Sequence, residues 1–86
     1  MLEKIRDEIN QIDQEIVKLL EKRYICVDEV VRIKKENNIP VLDNNREKEV
    51  REKIANSIEK TEYKEAIVET FQQIMDVSKE YQKNKK

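Results

Sequence analysis

Residues 2–33, LEKIRDEINQIDQEIVKLLEKRYICVDEVVRI, set apolar side chains at Leu2, Ile5, Ile9, Ile12, Ile16 and Leu19, then again at Cys26, Val30 and Ile33. The intervals alternate between three and four, which is the buried seam of a long helix. Between the two runs the seam position is 23, and it is an arginine. A guanidinium does not lose its proton, and burying it unpaired costs several kcal/mol. Either one of the chain's own carboxylates or a ligand must therefore supply an anion there.

Outward from this stretch, the first helix is expected over about 3–37, ending at Asn37-Asn38-Ile39-Pro40, where Pro40 removes a backbone donor and biases Ile39 away from helix. A second helix is expected over about 44–58. Asn44 and Glu47 stand in capping-box spacing, Asp43 is the competing cap, and Val50, Ile54 and Ile58 share a face. Thr61 is a candidate cap for a third helix over about 62–82, carrying Ile67, Phe71, Ile74, Met75 and Ser78. Lysine-rich residues 83–86 read as a solvated tail. The expectation is a single all-α domain, residues 1–86, with long, short and medium helices. A helix of about 35 residues is about 50 Å long, more than so small a globule covers, so its seam should meet another chain.

Composition supports association. Of 86 residues, 37% are apolar and 43% charged, with no glycine and one proline. Little apolar material is available to a lone core, and helix formers dominate. The net charge of −1, with signs interspersed, gives no basic field for nucleic acid. The amphipathic start MLEKIRDE contains no continuous apolar run, so neither a signal peptide nor a membrane span is expected. A single cysteine, Cys26, suits a reducing cytoplasm and reads as a small core residue. The absence of histidine excludes His-based triads, His metal ligands and the usual neutral-pH proton shuttle.

Several polar residues interrupt apolar faces. Arg23 and Lys34 are eleven residues apart, so they share a helix face at about 16 Å separation over Val27 and Val30. Together they can grip one small dianion, or each can pair with a glutamate. Arg6 lies about 25 Å from Arg23 along the axis. It is either a surface residue or one that reaches the same ligand from an antiparallel partner helix. Asp43, Arg46 and Glu47 cluster at a helix start. They serve capping and local pairing, or Glu47, steadied by Arg46, accepts from a ligand hydroxyl. Ser78 and Gln82, four apart, place neutral donors where the third helix's apolar stripe would continue, although solvation near the C-terminus accounts for Gln82 equally well.

The ordered set Arg6, Arg23, Lys34, Asp43, Arg46, Glu47, Ser78 and Gln82 on this plan resembles the all-helical chorismate mutases. The stretches that carry the resemblance are Ile5-Arg6-Asp7-Glu8-Ile9 with Ile12-Asp13, Leu19-Leu20-Glu21-Lys22-Arg23, and Pro40-Val41 leading to Asn45-Arg46-Glu47. It covers about Leu2 to Gln82. The resemblance implies an intertwined homodimer that rearranges chorismate to prephenate in phenylalanine and tyrosine biosynthesis, without metal or cofactor. It implies that Arg23, Ser78 and a partner chain's Arg6 hold the substrate's carboxylates. Lys34 and Gln82 would donate to the ether oxygen of the breaking bond. Glu47 and the Asp43 region would hold the ring hydroxyl, with Arg46 in support.

Two features depart from the family pattern. The linker before the third helix is about one residue short, which affects the register of Ser78 and Gln82, and Lys79 stands where an apolar wall residue is expected, either exposed or adding a cation near the site. Two other readings compete: an isochorismate–pyruvate lyase, which shares the fold and much of the cationic pocket, and a catalytically silent helical dimerisation module.

Overall fold

A computed structural model describes residues 1–41 and 43–85. The described chain is helical, with α1 at Leu2–Glu36, α2 at Asn44–Ser57 and α3 at Lys64–Asn84, the last preceded by a single 3-10 turn at Thr61–Tyr63.

Three local features differ from the expectations above. The long helix α1 is ended by Asn38 rather than by Pro40. Asn38 adopts φ 55°, its N–H donates to Lys35 O, and the N–H of Ile39 donates to Lys34 O at 2.8 Å. This is a Schellman motif, and in a chain without glycine an asparagine takes the left-handed position. The α2 helix is capped by Asp43, not Asn44: its carboxylate accepts from the Arg46 N–H at 3.1 Å. An ionised acceptor also complements the positive end of the helix dipole. Thr61 opens the 3-10 turn and does not cap α3, whose first residue is Lys64.

The C-terminal stretch is also ordered further than expected. Residues 83 and 84 continue α3, and Lys85 just beyond it is bound back to α1; Lys86 lies outside the described residues. The Tyr81 hydroxyl donates to Asp28 at 2.6 Å, and the Lys85 ammonium lies 3.2 Å from the Tyr81 oxygen and 3.5 Å from Asp28. Lys35 Nζ donates to the Lys85 carbonyl, and Tyr24 meets Tyr81 edge-on with centroids 5.0 Å apart. These contacts fix the last turns of α3 against the second half of α1. The Tyr81 hydrogen bond, reinforced by the Lys85 charge, holds the Asp28 carboxyl below its ordinary value.

Both α1 and α2 pack on α3. The core is small: among the described residues, Val31, Met75 and Ser78 are the buried ones. The molecule measures 54 × 24 × 16 Å with a radius of gyration of 15.7 Å, whereas a compact chain of this length would have about 12 Å. The excess comes from α1. Its first half carries Leu2, Ile5, Ile9, Ile12, Ile16 and Leu19, each between 45% and 63% exposed. The rest of the described chain leaves this apolar stripe uncovered. No helix among the described residues is long and apolar enough to cross a membrane.

Candidate active site

The packing of both helices on α3 leaves a cleft of about 280 Å³ against the second half of α1. It gathers Arg23 and Lys34 from α1, Asp43 from the loop, Arg46 and Glu47 from α2, and Ser78 and Gln82 from α3. Val27, Val30, Val50 and Met75 add apolar wall. Seven of the eight residues singled out in sequence thus line one cavity, drawn from every helix. Arg6 does not: it lies on the exposed first half of α1.

The α1 residues reach the cleft from the second half of the helix, where Arg23, Val27, Val30 and Lys34 share one face. Arg23 is half-buried, and among the described residues it makes no hydrogen bond or ion pair with any carboxylate. The question posed by its place in the seam is thereby narrowed, because no internal acid answers it. Lys34 has no carboxylate partner either. Its ammonium donates to the Val41 carbonyl at 3.0 Å, which ties the α1–α2 loop down and leaves two of its three N–H donors free. Cys26, read from sequence as core, is instead exposed and lines the cleft. The seam rotates toward the cavity at this level rather than into protein.

The acidic residues of the cleft are already engaged. Asp43 caps α2. Glu47 is held differently from the sequence expectation: Arg46 turns to Glu49 at 3.6 Å, one turn along its own helix, and does not steady Glu47. The partners of Glu47 are Lys79 Nζ at 2.8 Å, Gln72 Nε2 at 2.7 Å and Arg51 at 3.7 Å. The Lys79 hydrogen bond, then that from Gln72, holds the Glu47 carboxyl below its ordinary value, and Glu47 in turn raises Lys79. Sequence reasoning missed Gln72, and it offered Lys79 only as a further cation near the site, not as the partner of Glu47. The available signal was their spacing: Gln72, Met75, Lys79 and Gln82 fall at intervals of three, four and three, one face of α3.

The neutral donors are a buried Ser78 and a half-buried Gln82. Ser78 is 3% exposed, and Gln82 Nε2 donates to its Oγ at 3.3 Å. An amide nitrogen carries two hydrogens, so one stays on Ser78 while the other is available to the cleft. Both residues face the cavity despite the short linker before α3. The arrangement provides two cations without carboxylate partners, two neutral donors, one oriented carboxylate acceptor and an apolar wall. That set suits a small dianion that also carries a hydrogen-bond donor and some apolar surface.

Residues 5–83 match the family described as chorismate mutase type II. The chain is also similar to the bifunctional chorismate mutase/prephenate dehydratase of Buchnera aphidicola subsp. Acyrthosiphon pisum (strain APS), with 42% identity over 79 residues, 91% of this chain and 20% of the relative. It therefore spans about one fifth of the length of the curated relative it matches. No solved structure matches the chain.

Proposed function

The chain belongs to the chorismate mutase type II family, and on that premise we propose that it is a single mutase domain, working as an intertwined homodimer that rearranges chorismate to prephenate. The observation that carries this reading is the pair Arg23 and Lys34, facing a cleft with no carboxylate partner among the described residues.

The rearrangement is intramolecular. It needs no nucleophile and no proton transfer, so a chain without histidine lacks nothing for it. Two tasks remain for the protein. One is to fold the enolpyruvyl arm over the ring by gripping both carboxylates, which converts a floppy substrate into a near-attack conformer. Arg23 and Ser78 do this from one chain and Arg6 of a second copy from the other. The second task is to stabilise the charge that develops on the ether oxygen as the C–O bond breaks. The free N–H groups of Lys34 and the second amide hydrogen of Gln82 are preorganised for it, and losing one such donor costs about 2.7–4 kcal/mol, roughly 10²–10³ in rate. Glu47 accepts from the ring hydroxyl. Asp43 and Arg46 support this indirectly, by capping and pairing along the α2 turn that carries Glu47.

The dimer is supported by the apolar stripe on the first half of α1 and by Arg6, which a second copy's antiparallel α1 would carry to the cleft. The purified chain is assayed with chorismate, and the product is identified by proton NMR. Prephenate without released pyruvate supports the mutase. Turnover of isochorismate with release of pyruvate would instead make the chain a lyase, and no turnover of either substrate at micromolar enzyme would leave only the silent dimerisation module.

A further inference from the structure

Glu47 has more charged and polar partners than any other residue of the cleft. Its Oε2 is paired with Lys79 at 2.8 Å, and its Oε1 accepts from Gln72 at 2.7 Å with Arg51 at 3.7 Å. Two of these grips come from α3 and one from α2, so the carboxylate is fixed from two sides with lone pairs left over. A carboxylate placed beside a dianionic ligand is ordinarily a liability, since like charges at short range oppose binding. In a cleft built to hold two carboxylates, Glu47 therefore needs a cation of its own. Arg23 and Lys34 cannot serve, because they face the ligand. Lys79 is placed to do so: it lines the same cleft, its side chain is 34% exposed, and its ammonium contacts Glu47 rather than solvent alone.

Building on the mutase reading, we propose that Lys79 is a positioning residue that makes Glu47 usable as a hydroxyl acceptor beside a dianionic substrate. It cancels the carboxylate's charge toward the ligand and aims its free lone pairs at the ring. Lys79 acts through Glu47 and does not touch the reacting atoms. Its contribution falls on substrate affinity and on selection for a ring that bears a hydroxyl, and it leaves the bond-breaking step alone. The other ionisable groups near Glu47 among the described residues are Asp43, Arg46 and Arg51 at and along α2 and Asp76 on α3, with Arg23 and Lys34 across the cleft on α1.

The test is a double-mutant cycle on the full chain. Lys79→Met should raise KM for chorismate about tenfold, the equivalent of one charged hydrogen bond, with kcat held within about twofold. Lys79→Arg should restore KM. In a Glu47→Gln background the same Lys79→Met change should alter KM by less than about twofold, because the group it acts through is gone. Lys79→Gln serves in its place if the methionine variant does not fold. An unchanged KM in Lys79→Met overturns the proposal, as does an equal effect in both backgrounds. A carbon-13 NMR titration of the Glu47 carboxyl without substrate tests the coupling separately: its midpoint should rise in Lys79→Met, and an unmoved midpoint also overturns the proposal. A wild-type chain that turns over no chorismate would instead sink the reading of the site, an outcome the NMR titration distinguishes.

Discussion

Arg6 and Arg23 are seventeen residues apart on one continuous helix, about 25 Å along its axis. One small ligand cannot span that distance, so the proposed crossed dimer has them serve different sites within a chain and the same site across chains. This makes a quantitative prediction. Arg6→Ala and Arg23→Ala each remove a cation from a buried charge pair with a substrate carboxylate, which costs about 2–5 kcal/mol, or roughly 30-fold and upward in kcat/KM. Each variant alone is therefore nearly silent. If equal amounts of the two are unfolded together and refolded, random pairing makes half of the dimers mixed. Each mixed dimer has one doubly altered site and one site with both arginines intact. Activity should then recover to about a quarter of the wild-type value, with wild-type KM. The assay is loss of chorismate absorbance before and after co-refolding, with each variant refolded alone as the control. No recovery above the two controls would refute the crossed site, and so would an Arg6→Ala chain of undiminished activity.

Other expectations follow from single contacts. Gln82 donates at any pH, so the wild-type rate should be nearly flat from about pH 5 to 9, whereas Gln82→Glu should speed up as pH falls and its carboxyl regains a proton; full activity of that variant at high pH would remove Gln82 from the mechanism. Asp43→Ala strips the cap of α2 and should cost about 1 kcal/mol, or about 4–8 °C in thermal midpoint for a chain of this size. Glu47 and Asp28 both titrate below their ordinary values in the fold. Their stabilisation is complete above the unfolded-state values, about 4.3 and 3.9, and is lost as pH falls through the lowered folded ones. Urea midpoints should therefore fall as the pH is taken below about 4.5, and the fall should shrink in Glu47→Gln and Asp28→Asn.

The parts legible in sequence were those written in periodicity. A seam alternating three and four gave α1 and placed Arg23 as its interruption, and the spacing from Arg23 to Lys34 put both on one face that now lines the cleft. The parts that were not legible depend on local competition or on distant pairing. Pro40 is the conspicuous breaker, yet Asn38, two residues earlier, already terminates the helix in the left-handed position. Asp43 and Asn44 are both good caps, and only geometry decides between them. Arg46 had Glu49 within one turn and Glu47 beside it, and neighbours in sequence on a helix do not face each other, so it took Glu49. Glu47 instead found Gln72 and Lys79, 25 and 32 positions away, which no one-dimensional pattern reports. The tether of Lys85 to Asp28 hides for the same reason behind what looks like a lysine tail.

The most direct test is Arg23→Ala, followed by chorismate turnover and thermal unfolding on the same preparation. Arg23 has no carboxylate partner among the described residues, so the fold gives up no ion pair when it is removed. The expected result is a fall in kcat/KM of at least roughly 30-fold with a thermal midpoint unchanged or raised. A variant that unfolds at lower temperature while its folded fraction keeps wild-type turnover would show that the arginine serves the fold and not a substrate.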